Sequence, residues 1–118
     1  MYLILFFAIW LSGCAQSTLT KQQIIDIATN NAQAERISLD IREAYYDAGN
    51  EAWARKLMEI KKNNPDYAKS RNYFKILDSY DYQAVLFAIK PDLNVLGGDF
   101  WVFVDRQTGG VITIHGEK

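Results

Sequence analysis

Residues 99–115 read Asp99-Phe100-Trp101-Val102-Phe103-Val104-Asp105, then Arg106-Gln107-Thr108-Gly109-Gly110, then Val111-Ile112-Thr113-Ile114-His115. Two runs rich in β-branched and aromatic residues flank a polar turn ending in Gly-Gly, the signature of a β-hairpin. Both faces of the first run are apolar. One face is therefore expected to carry helices, and the other to be partly covered or to bind something.

Working outward, Tyr82 to Lys90 is apolar and aromatic and ends before Pro91, which predicts a preceding strand with Pro91 to Gly98 as its loop. Further upstream the period changes. Thr20 and Gln23 have capping-box spacing, Leu19 and Ile24 that of a hydrophobic staple. Ile24, Ile27, Ala28 and Ala32 form an apolar stripe, predicting a helix to about Ala34. Ile37, Leu39 and Ile41 alternate with Ser38, Asp40 and Arg42, so a strand is expected from Ile37 through Tyr45 and Tyr46, broken by Asp47 to Asn50. Trp53, Leu57 and Ile60 share one face of a predicted helix from Glu51 to Lys62, ended by Asn63-Asn64-Pro65. A shorter helix is expected over Asp66 to Leu77. Helices followed by a strand meander argue for an α+β domain with N-terminal helices packed on a curved antiparallel sheet.

The chain has 118 residues, a formal net charge of −1, one cysteine, one histidine and 49% apolar residues. That supports one domain, excludes an internal disulfide and a disordered chain, and argues against a generic polyanion binder. Charge is segregated. Glu35 to Glu51 holds five acids and two bases, net −3; Arg55 to Lys75 holds seven bases and two acids, net +5; Asp78 to Lys118 holds six acids and three bases, net −3. The basic block reads as a solvated helical face or as a surface for an anionic partner or anionic lipid.

Met1 to Leu11 is apolar without a break, and the first charge in the chain is Lys21. Such a run is too short for a bilayer span of about 20 residues but fits the core of an export signal. Leu11-Ser12-Gly13-Cys14 resembles the bacterial lipobox, although no Lys or Arg precedes the apolar run. The resemblance implies a signal peptide over 1–13, a lipid-bearing Cys14, a tether over 14–19 and a folded domain over 20–118. Ala15, in place of Asp, removes the inner-membrane retention signal, so the expected location is the outer membrane, facing the periplasm.

Catalytic chemistry finds little support. A lone His115 leaves little for a metal site or a histidine-based triad, and Gly97-Gly98 lacks the spacing and the lysine of a phosphate loop. Acid pairs such as Asp40 with Glu43 or Asp99 with Asp105 have surface-like spacing. No catalytic residue, metal site, cofactor or nucleic-acid partner is expected.

Tyr82-Gln83-Ala84-Val85, Leu96-Gly97-Gly98-Asp99 and Val102 to Ile112, with the helix Glu51 to Lys62 and Asn64-Pro65-Asp66-Tyr67, resemble immunity proteins with a nuclear-transport-factor-2-like fold (cystatin-like in outline). The resemblance implies a non-catalytic protein that occludes a toxin. The same hairpin, with the helix opening Leu19-Thr20-Lys21-Gln22-Gln23-Ile24-Ile25, also resembles PepSY-like peptidase-propeptide domains, which implies peptidase inhibition or envelope assembly. The Gly-Gly before the hairpin and the long basic middle fit that second pattern less well. A toxin or a peptidase is thus the expected partner, and Tyr45, Tyr46, Trp53 and Trp101 are the candidate anchors, since aromatics dominate interface hot spots.

Overall fold

The computed structural model describes residues 18–64, 66, 72–93 and 98–117. The expected signal peptide 1–13, Cys14 and the first residues of the tether lie outside the described residues, as do Pro65, Tyr67 and Gly97. The architecture is α+β, with helices packed on a four-stranded antiparallel sheet.

Helix α1 spans Lys21–Ala34. Its start is the expected capping box: the Thr20 hydroxyl accepts from the Gln23 N–H at 3.1 Å, and the Thr20 N–H donates to Gln23 Oε1 at 2.8 Å. Ile24, Ala28 and Ala32 form its buried stripe. The two alanines let the helix axis lie close to the sheet, where Val85, Phe87, Val102 and Val104 complete one core.

Strand β1 is Arg42–Tyr46, shorter than the strand expected from Ile37. The chain is still turning before Arg42. Arg36 takes a left-handed φ of 63°, the Ile37 N–H returns to the Ala32 carbonyl at 3.0 Å, and the Arg42 N–H bonds the Leu39 carbonyl at 3.2 Å. Ile37 and Leu39 nevertheless pack against the α1-side core, so their alternation reports burial without a strand ladder.

A 3₁₀ turn at Ala48–Asn50 leads into α2, Glu51–Asn63. After the segment at 67–71, outside the described residues, come the short α3 at Asn72–Lys75 and a second 3₁₀ turn at Ile76–Ser79. Strands β2 (Tyr82–Ile89), β3 (Phe100–Asp105) and β4 (Val111–Gly116) follow as the sequence predicts. The sheet order is β1-β2-β3-β4, every pair antiparallel. A bulge opposite Phe103 and Val104 inserts one residue into β4, which puts Val111 and Ile114 on the α1 side and Ile112 on the other.

Residues alternate across this sheet, so each face needs its own cover. Val85 and Val102 face α1, whereas Ala84, Trp101 and Phe103 face Trp53 of α2 together with Phe74 and Leu77. The face expected to be partly covered or to bind something is thus a covered one. α1 covers one face, and α2 with the Asn72–Ser79 segment covers the other.

Candidate functional site

Trp53 is 1% exposed and Trp101 is 2% exposed. The Trp53 ring lies edge-on to Phe74, Trp101 and Phe103, with centroids 5.2, 5.2 and 4.7 Å away. Each such pair contributes about 0.5–1.5 kcal/mol beyond area burial. The Trp101 indole N–H also donates to Glu117 at 2.6 Å, and Glu117 in turn pairs with Lys56 of α2 at 2.8 Å. Both tryptophans, named as candidate anchors from the sequence, are buried, with their surfaces spent joining α2, β3 and β4.

The two tyrosines divide differently. Tyr46 turns toward the α1 core, with the Lys21 ammonium 5.7 Å from its ring centre. Tyr45 points to the opposite face and is 47% exposed. It pairs with Leu86 at the sheet margin, and its hydroxyl donates to the Glu43 carboxylate two residues away. That bond holds the phenol proton, so the Tyr45 pKa rises above its usual 10.0. β1 pairs only with β2, so its outer edge has no strand partner among the described residues. Tyr45 and Glu43 therefore stand as a fixed pair on an open strand edge, with exposed Asp40 before them and exposed Glu51 beyond the turn.

That strand is held from both ends. At its start, the Arg42 guanidinium donates to the Gly98 carbonyl at 2.9 Å and to the Ser38 carbonyl at 2.9 Å. At its end, Asp47-Ala48-Gly49-Asn50 forms a clamp the sequence reading takes only as a strand breaker. The buried Asp47 carboxylate accepts from the backbone N–H groups of Ala52 and Trp53, both at 2.9 Å, and so caps α2. The Asn50 amide donates to the Tyr82 carbonyl at 3.0 Å and accepts from the Ala84 N–H at 2.8 Å. Gly49 supplies the left-handed φ of 67° that brings the two side chains to these positions. An Asp a few residues ahead of an amphipathic helix was the available signal for this cap.

On the outward side of α2, Arg55, Met58, Lys61 and Lys62 are exposed, Met58 at 70%. Lys56, the remaining base of that helix, turns inward to Glu59 and Glu117, both at 2.8 Å, which raises its pKa. The basic block of the sequence is thus partly a structural tie and partly a solvated face. A shallow cavity of about 220 Å³ is lined by Tyr80, Asp105, Thr108, Gly110, Val111 and Ile112, at the β3–β4 turn. Among the described residues no group of three or more His, Cys, Asp or Glu is placed to hold a metal ion, and no helix is long and apolar enough to cross a membrane. In comparisons with protein-family models, curated proteins and solved structures, the chain matches none.

Proposed function

We propose that this chain is a lipid-anchored periplasmic binding module, an immunity protein that neutralises a toxin by covering its active site. The observation that carries the reading is the outer edge of β1 bearing the exposed Tyr45–Glu43 pair. Tyrosine supplies large contact area with few rotatable bonds, and an open strand edge offers backbone hydrogen bonds to an extended segment. The surrounding carboxylates Asp40, Glu43 and Glu51 steer a basic partner onto it. Occlusion needs a rigid surface and no reacting group, which suits a strand clamped at one end by Arg42 and at the other by Asp47 and Asn50. The finer fold assignment, nuclear-transport-factor-2-like, belongs to the same reading and rests on the hairpin and helix motifs.

The anchor half of the proposal rests on Leu11-Ser12-Gly13-Cys14. Cells producing an effector encoded beside this gene should survive when they also produce the chain. Protection should weaken with Tyr45→Ala, and Cys14→Ala should move the protein from the membrane to the soluble fraction. Death of cells that contain folded, correctly located protein would sink the immunity reading. Inhibition of a peptidase in place of a toxin would favour the PepSY-like alternative.

A further inference from the structure

We propose that the domain stands on the bilayer with the end bearing the β3–β4 turn toward the lipid headgroups, and that the opposite end can never take that place. This inference rests on the lipid-anchor reading of Cys14. The entry point of the domain is fixed. The Leu19 N–H bonds the Arg106 carbonyl at 3.1 Å, and the Leu19 side chain closes over Gly109, where an added Cβ would meet it at 3.2 Å. Thr20 then starts α1 at once. The chain is thus pinned to the turn between β3 and β4 five residues after Cys14.

Five Cα-to-Cα steps reach about 18 Å at full extension. The eight residues of β2 span about 24 Å, from Tyr82 beside the turn to Ile89 at the far end. A tether shorter than the sheet allows the domain to lean but not to invert. At the same end several acids are paired, while Asp78 and Glu51 stay exposed. Asp81 pairs with Arg106 at 3.3 Å and accepts from Gln107 at 3.1 Å, Asp105 accepts from the Gln107 and Thr108 N–H groups, and Asp47 is taken up by α2. Exposed Lys21 and the partly exposed ring of Tyr80 add a cation and an amphipathic aromatic of the kind that suits a headgroup layer. At the far end, Glu35, Asp40 and Asp92 are exposed. The edge of β1 stands sideways to the membrane in this arrangement, open to a partner in the periplasm.

The test uses the full chain produced in a lipoprotein-processing bacterium and placed in vesicles of phosphatidylethanolamine and phosphatidylglycerol with a nitroxide on the headgroup. Gln107→Cys and Asp92→Cys each provide one labelling thiol, since acylation occupies the Cys14 sulfur. A fluorophore at position 107 should be quenched several-fold more than one at position 92. Equal quenching, or stronger quenching at 92, would overturn the proposal. Inserting about 20 Gly/Ser residues after Ser17 adds a root-mean-square span of about 25 Å and should erase the difference; a difference that persists would overturn the tether as its cause. Protein that fails to float with the vesicles refutes the anchor reading itself, and this inference with it, a result distinct from floating protein with unordered quenching.

Discussion

Asp47 shows how a single carboxylate joins two elements. Its oxygens satisfy the first N–H groups of α2, which have no intrahelical acceptor. Its own N–H bonds the Ala84 carbonyl at 3.1 Å and so extends the β1–β2 ladder. Asp47→Ala leaves those helix donors buried without a partner and should lower stability by about 1–2 kcal/mol, read as a shift in the urea midpoint. This role was hidden in the sequence because the cap lies three residues ahead of the position a simple helix start would give it. His115 offers a second residue-scale test. Its ring sits edge-on to Trp53 and Phe74, with centroids 5.8 and 5.2 Å away, and burial pushes its pKa below the usual 6.5, outweighing the opposite pull of Glu117. The folded state therefore prefers the neutral ring. Its contribution to stability is complete above about pH 6.5 and is lost as the pH falls through the depressed folded value. Thermal midpoints should fall between about pH 7.5 and pH 5, and His115→Asn should flatten that fall. Glu59, held below its usual 4.5 by Lys56, titrates beneath this window.

At the scale of elements, periodicity was the legible signal, and its failures have physical causes. The stripe of α1, the helix from Glu51 and the three C-terminal strands all follow from spacing, because burial repeats at the period of the backbone. Ile37, Leu39 and Ile41 share strand spacing, yet all three precede β1, since alternating burial needs only side chains turned toward a core. Trp53 was legible as an inward residue of its helix, but nothing local revealed that Trp101 faces it, because that contact joins distant segments. Ala28 and Ala32 carry an element-scale prediction. Both are fully buried where α1 meets Val85 and Val102. Ala28→Leu forces the helix off the sheet and should cost about 1–3 kcal/mol, seen as a lower urea midpoint with an unchanged slope.

The whole molecule is a sheet covered on both faces, so its open surfaces lie at strand edges, loop ends and outward helix faces. That arrangement was only partly legible. The apolar Asp99–Asp105 run showed that both faces of the sheet are apolar, but not that a helix covers each. The charge blocks, read along the chain, are partly redistributed in space: Lys56 and Glu117 neutralise each other, Asp47 caps a helix, Arg55, Lys61 and Lys62 stay exposed on α2, and the acids exposed around β1 flank Tyr45. On the proposed reading, the β1 edge binds and silences a protein toxin by occlusion. The decisive measurement titrates the activity of any effector encoded beside the gene with the purified domain, residues 18–118. Activity should vanish near equimolar domain, and Tyr45→Ala should require a large excess; full toxin activity in the presence of excess, folded wild-type domain would contradict the claim.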